Sequence, residues 1–413
     1  MSGFDPGFFV AGNFIILLVG LFAIRVIFPQ AWVSRLTFTL TGAYLLYLVA
    51  PRFVLFFVLF WTVVWLLLKL MQRAEAMKNT KVAGLLTVFA IGIMLSPLLI
   101  WKLSPQMFTS AINESFSKAL WTLFPQVGFA DAIVAIGVPL GLSFTIFRAL
   151  DLIIKVRLDL LPALDLGRVF YYGFFPPVLA VGPIIEYEEI KMDTRLSRLP
   201  DPGDIAVGSM RVLLGCVKVF LLSILLTHAA SLLWGDGTGS VLYAWAAILA
   251  YGLFFYVNFS GYSDISIGAS RLFGLKLKEN FDNPYLKTNP SSFWNAWHMS
   301  LTRWVNRYVF IPLGGFRENR QYFAIFVTIM VIALWHDISW TLVIFGVYHG
   351  IAMVGHRWLE SKRAKAGRSL STNPLIKGFK MFALFVFVCL SMPLLSQPLE
   401  ALPGIYKTLI PGL

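Results

Sequence analysis

Run after run of about twenty almost wholly apolar residues recurs along this chain, and no other feature limits its fold so severely. A bilayer core is about 30 Å thick and a helix rises 1.5 Å per residue, so each crossing takes about 20 apolar residues. On that rule spans are predicted at 8–28, 32–50, 52–71, 82–101, 131–154, 207–234, 240–259, 321–335, 338–356 and 376–397. Inside lipid every backbone N–H and C=O must find its partner within the protein, and helices do this segment by segment. Four further apolar stretches, 104–125, 166–186, 261–275 and 291–316, are interrupted by proline, glycine or charge. Irregular backbone persists at membrane depth only where protein or a water-filled cavity surrounds it. These four are therefore expected as re-entrant or interfacial helices around an internal cavity. The fold class is all-α, an integral membrane protein with roughly 10–12 membrane helices.

Composition closes off the alternatives. Only 13% of the 413 residues are charged and 58% are hydrophobic, against about 25% charged in a soluble domain. A net charge of +13 suggests nucleic acid in a soluble protein, but here the bases gather in short loops between apolar runs. That distribution is the positive-inside pattern of membrane proteins, not the basic stripe of a nucleic-acid binder. Cys216 and Cys389 both lie in apolar runs, which suggests neither a disulfide framework nor a metal site. The first run lacks the basic flank and small-residue cleavage site of a signal peptide and reads as a retained span.

Loop charge sets an orientation. Asp5 stands alone before the first span, which places the amino terminus outside. Lys69, Arg73, Lys78 and Lys81 fall on the cytoplasmic side, as do Lys155, Arg157 and Arg168, and then Lys191, Arg195 and Arg198. The run from Arg357 to Lys380 joins them, and the loop 235–240 and the segment after Ser396 fall outside. No internal repeat, low-complexity tract or linker divides the chain, so residues 1–413 are expected as one membrane domain.

Chemistry concentrates around two of the five histidines. His336 closes an apolar run as Ala333-Leu334-Trp335-His336-Asp337, and Ile338-Ser339-Trp340 opens the next. A neutral imidazole can take a proton from a hydroxyl, and a nearby carboxylate can fix its tautomer or stabilise its cation. Neighbours in sequence do not face each other on a helix, so Asp337 equally suits a cap on the following helix. His298 lies in Phe293-Trp294-Asn295-Ala296-Trp297-His298, followed by Arg303 and Trp304. That aromatic and basic mixture suits an interfacial anchor helix, and equally a pocket floor for a charged or thioester-linked donor. Asn258, Ser260, Tyr262 and Asp264 form a polar interruption between apolar segments, and Glu279 to Tyr285 reads as a capped turn. His228 and His356 read as structural contacts. No phosphate loop, HExxH helix or GxSxG elbow is present, so the common hydrolase and nucleotide chemistries find no support.

Taken in order, these segments resemble the membrane-bound O-acyltransferases in their bacterial polysaccharide-modifying branch. The resemblance runs from 138 to 356: Val138-Pro139-Leu140-Gly141, Phe174-Phe175-Pro176-Pro177, Gly182-Pro183-Ile184, then Gly261-Tyr262-Ser263-Asp264 and Glu279-Asn280-Phe281-Asp282-Asn283-Pro284-Tyr285. Phe293-Trp294 with Trp297-His298, Ile311-Pro312-Leu313-Gly314-Gly315 and Leu334-Trp335-His336 complete it. The family takes the histidine of the Trp-His pair as catalytic, here His336, and its second characteristic histidine matches His298. Two departures stand out: Asp337 replaces the usual glycine, and Asn295 and Ala296 stand where bases are usual.

The resemblance implies helices around a central tunnel in a bacterial plasma membrane. An acyl thioester, either acetyl-CoA or acyl-carrier-protein phosphopantetheine, would donate from the cytoplasm, with no tightly bound cofactor. The acceptor would be a hydroxyl on an extracytoplasmic polysaccharide or wall polymer, and the partner a periplasmic acyltransferase or a cytoplasmic acyl carrier protein. The motif wording is similar to the alginate O-acetyltransferase type and the compact length to the D-alanyl transfer protein of teichoic acids, with acetyl preferred. A transporter or flippase, and a scaffold for an export complex, are the rival readings. Transport is disfavoured because paired intramembrane charges and repeats are not visible.

Overall fold

The computed structural model describes residues 13–49, 51–103, 141–162, 164–179, 181–191, 200–235, 240–367 and 373–410. Among these all regular structure is helical. In chain order the α-helices are α1 (Asn13–Ile27), α2 (Ala31–Val49), α3 (Pro51–Ala76), α4 (Thr80–Leu103), α5 (Leu142–Arg157) and α6 (Leu166–Gly173). Then come α7 (Pro202–Val217), α8 (Ser223–Gly235), α9 (Val241–Leu272), α10 (Pro290–Ala296) and α11 (Met299–Val305). The series ends with α12 (Gln321–His336), α13 (Trp340–Lys365), α14 (Pro374–Ser396) and α15 (Leu402–Leu409). A π-helical turn, Lys218–Leu222, joins α7 to α8, and a second, Asn306–Phe310, follows α11.

Among the described residues, five stretches are long and apolar enough to cross a membrane: Phe53–Ala76, Thr80–Ile100, Pro202–Ser231, Val241–Leu272 and Pro374–Ser396. Ile16–Ile27 and Gln321–His336 are shorter apolar helices. The expected segment 104–125, the first part of 131–154, and motif residues 138–140 lie outside the described residues, as do Asp5, Arg195 and Arg198.

One boundary differs from expectation. The polar stretch after residue 259 was expected to end a span, yet α9 continues unbroken to Leu272. Its small and polar residues serve helix contact instead. A Cβ added at Gly261 would lie 2.8 Å from Lys218 Cβ and 3.1 Å from the Gly215 carbonyl oxygen. Small residues let membrane helices approach this closely. Three residues on, Lys218 Nζ donates to the Asp264 carboxylate at 2.6 Å. The structure therefore holds an intramembrane charge pair where the sequence reading found none.

The chain falls into two compact units. The first comprises Ser2–Val212 with Ser266–Lys278. Here Arg148 is almost wholly buried on α5 and donates to the carbonyls of Tyr172 (2.9 Å) and Gly173 (3.3 Å) at the end of α6. Those are the orphan carbonyls every helix end leaves, and the guanidinium also lies over the rings of Trp61 and Tyr172. Lys155 binds Asp151, Glu186 and Glu188 at 2.8–3.0 Å.

The second unit comprises Leu213–Ile265 with Glu279–Leu413 and holds every candidate site residue. Its frame is the antiparallel pair α12 and α13. A Cβ at Gly346 would lie 2.5 Å from Met330 Sδ and one at Gly350 2.8 Å from the Phe326 ring, so side chains of α12 lie directly on the α13 backbone. Against α13 packs α14: Tyr348 Oη donates to the Phe387 carbonyl at 2.9 Å, with their rings stacked at 4.4 Å. The last helix is tied back by Trp245 Nε1, which donates to the Leu409 carbonyl at 3.0 Å, and by Tyr406 Oη, which donates to that of Leu390 at 2.8 Å.

Candidate active site

His336 is the last residue of α12, and its ring folds back along the helix. Nδ1 lies 2.8 Å from the Ile332 carbonyl oxygen, which can only accept. Nδ1 therefore carries the hydrogen, and in the neutral ring Nε2 carries the lone pair. The backbone sets the tautomer, one of the roles that the sequence reading offered to Asp337. Asp337 itself is exposed, one residue past the helix, and accepts from the Ile338 N–H at 2.8 Å. The N-cap of α13 is Ser339.

His298 occupies the turn between two short helices. Asn289 caps α10 by accepting from Ser292 N–H at 2.8 Å, with Pro290 at the first helical position, where a missing N–H costs nothing. Trp297 then extends the chain and His298 takes left-handed angles (φ 43°, ψ 53°) before α11 begins. Such a conformation at a non-glycine residue costs about 1–3 kcal/mol and persists only where its surroundings enforce it. Asn280, wholly buried, does the enforcing. Its carbonyl accepts from Met299 N–H at 2.8 Å, its side-chain oxygen from Ser300 N–H (3.1 Å) and Ser300 Oγ (2.8 Å). Its amide donates to Ser263 Oγ at 3.0 Å, anchoring the turn to α9.

The His298 ring is 2% exposed and meets Phe259 edge-on at 4.7 Å. The segment lies outside the membrane spans, and burial, then the neighbouring His336 and Arg303, hold this imidazole well below the ordinary histidine range. It is neutral at physiological pH. Trp335 touches both histidines, with ring centroids 6.0 Å from His298 and 4.6 Å from His336.

Both histidines line one cavity of about 30 Å³, shared with Trp294, Trp297, Thr302 and His349. That volume admits roughly two water-sized groups. A base beside a small aromatic-walled space can take a proton from a bound hydroxyl.

The structure thus brings His298, His336, Trp294 and Trp297 together and sets the other candidates off the cavity wall. Asn258 donates to Ser223 Oγ at 3.2 Å, Ser260 to the Val257 carbonyl, and Arg303 to the Glu279 carbonyl at 3.3 Å. Tyr262 is buried within α9, and Asp264 pairs with Lys218. His356 contacts Ser291 Oγ at 3.1 Å. Sequence reasoning missed His349, Thr302 and the tie made by Asn280. The signal for His349 was its place between Gly346 and Gly350, where two helices must touch. Among the described residues no three His, Cys, Asp or Glu side chains group as metal ligands.

A set of apolar helices with histidines converging on one cavity is the arrangement of a polytopic membrane protein. A sequence model of the membrane-bound O-acyltransferase (MBOAT) family matches residues 163–397, and the chain belongs to that family. The match reaches further toward the carboxyl end than the 138–356 region read from motifs. Among curated relatives, "Probable alginate O-acetylase AlgI" of Pseudomonas putida is 33% identical over 244 residues, covering 57% of this chain and 47% of that protein. "Teichoic acid D-alanyltransferase" of Streptococcus thermophilus is 29% identical over 287 residues, covering 62% and 68%. "Peptidoglycan O-acetyltransferase" of Helicobacter pylori is 33% identical over 197 residues, covering 46% and 37%. The chain spans under half the length of the first and last of these.

Proposed function

We propose that this chain is a membrane acyltransferase that moves a short acyl group, acetyl foremost, from a cytoplasmic thioester to hydroxyls of an extracytoplasmic polysaccharide or wall polymer. One observation carries the reading: the Ile332 carbonyl holds the His336 tautomer that leaves Nε2 basic beside a cavity of short-acyl size. In the reaction Nε2 takes the proton of the acceptor hydroxyl. The oxygen attacks the thioester carbonyl, the carbon–sulfur bond breaks, and the departing thiolate takes the proton from the imidazolium. That cation forms at the carbonyl end of α12, where the helix dipole stabilises it by about 0.3–1 kcal/mol. Thioester and ester are close in energy, so positioning and one general base, contributing about 10²–10⁴-fold, suffice.

The donor is acetyl-CoA or an acylated carrier protein, and a periplasmic acyltransferase or that carrier is the partner. The chain sits in a bacterial plasma membrane with its amino terminus outside, in keeping with the loop charges. D-alanyl transfer to a teichoic-acid-like polymer is the second reading, favoured by the 68% of a D-alanyltransferase that the chain spans. The purified protein, given radiolabelled acetyl-CoA or D-alanyl carrier protein and a glycan acceptor, distinguishes the two. Label appearing in the polymer from one donor assigns it; absence from both, in protein that is folded, refutes transfer.

A further inference from the structure

The wall of the cavity also holds polar atoms that the proposed transfer has not used. His349 is 1% exposed and clamped by the rings of Phe345 (4.4 Å), Phe387 (5.2 Å) and Trp294 (5.3 Å). Its Nε2 lies 2.9 Å from Ser391 Oγ. That serine donates its single hydrogen to the Val388 carbonyl at 2.7 Å, so toward the histidine it can only accept. Nε2 therefore carries the hydrogen and Nδ1 the lone pair, and Nδ1 has no hydrogen-bond partner among the described residues. Trp294, 6% exposed, presents the complementary case, since its Nε1–H is buried and also without a partner. The two rings meet nearly perpendicular, at 83°, and both line the cavity.

A buried donor and a buried acceptor side by side are costly unless something satisfies both. A carbonyl accepts only and would leave His349 unpaired; an ammonium donates only and would leave Trp294 unpaired. A hydroxyl oxygen does both at once. The geometry points to a hydroxyl-binding site in which Trp294 Nε1–H donates to, and His349 Nδ1 accepts from, one hydroxyl of the acceptor, with a water holding the place when the acceptor is away. This rests on the acyl-transfer reading for the identity of its ligand. His349 and Ser391 are then positioning residues: they fix which part of the acceptor lies beside His336, and so which hydroxyl is acylated.

Binding, read apart from turnover, tests this. The full chain in nanodiscs is titrated with a uronic-acid trisaccharide, an N-acetylated amino-sugar disaccharide and a glycerol-phosphate trimer, following thermal stabilisation. At least one fragment should stabilise the wild type and bind about tenfold more weakly to His349→Phe and to Trp294→Phe, the effect of losing about one neutral hydrogen bond. His349→Gln, whose amide oxygen still accepts, should restore most of the affinity. For the fragment that binds, one monodeoxy analogue should lose tenfold with the wild type and nothing with His349→Phe. If every fragment treats wild type and His349→Phe alike, the inference is overturned, and a lower melting temperature without an affinity change would mean that the pair holds a water only. Wild type that binds selectively yet transfers no acyl group would overturn the transfer reading instead.

Discussion

Replacing Asn280 with alanine should loosen the active-site turn more than any other single change away from the cavity. Its side chain makes three hydrogen bonds in a fully buried position: two accepted from Ser300, one donated to Ser263. Deleting it leaves the Ser300 N–H and the Ser263 hydroxyl to compete for partners without water. Each buried group so orphaned costs about 1–3 kcal/mol, so the total is about 2–5 kcal/mol. In a body of this size each kcal/mol is worth roughly 2–4 °C of melting temperature. The structure therefore predicts a fall of at least about 4 °C, read by thermal unfolding in detergent. The left-handed turn at His298 loses its support as well, so turnover should drop even in the folded fraction. Asn280→Asp separates the contributions, because it keeps both acceptor bonds to Ser300 and loses only the donor to Ser263; it should retain about half the lost stability. A melting temperature for Asn280→Ala within 2 °C of wild type would refute the argument that this residue braces the turn.

Other substitutions probe the remaining links. His336→Ala should leave about a hundredth of wild-type transfer or less at unchanged stability, the smallest effect expected of a lost general base; more than about a tenth would remove it from the reaction. His298 bears on pH. Its folded pKa is lowered by burial, so below the ordinary value near 6.5 the unfolded chain takes up a proton first and stability falls as pH drops. His298→Asn should flatten that decline between pH 7 and pH 5, and an unchanged slope would refute the buried neutral imidazole. Asp264→Ala leaves the Lys218 ammonium without its partner at 2.6 Å and should cost about 3–5 kcal/mol, whereas Lys218→Met with Asp264→Leu should recover most of it; equal melting temperatures for both would refute the charge argument. Gly261→Val places a side chain 2.8 Å from both Lys218 and Val219 and should destabilise by about 1–3 kcal/mol through overpacking, seen as lower yield of folded protein.

The helices and the two central histidines were legible because lipid imposes its length rule on sequence directly, and because Trp335-His336 and Trp297-His298 sit in recognisable wording. What stayed hidden depended on partners far away in the chain. Ser260, Gly261 and Asp264 look like a helix break until Gly215 and Lys218 are beside them, and then they are the contact face of an uninterrupted helix. His349 looks like an isolated polar residue until Ser391, 42 positions on, fixes its tautomer. Asn280 reads as a turn residue, and only the fold shows that it holds His298 in an unfavourable conformation. Asp337 was open between a role toward His336 and a helix cap, and the carbonyl one turn back is what meets the ring nitrogen.

Helix α12 is also a ruler. Its 16 residues set His336 about 22 Å along the axis from Gln321, at 1.5 Å per residue. Gln321 accepts from Arg357 Nε at 3.0 Å, with Arg317 and Arg320 just upstream, so the near end of the ruler is strongly basic and the far end carries the base. If the proposed thioester donor rests its phosphates at the first mark and reacts at the second, it must present its acyl group on an arm of about that reach. Adding or removing one helical turn in α12 would shift the second mark by about 5.4 Å and leave a donor of fixed length unable to satisfy both.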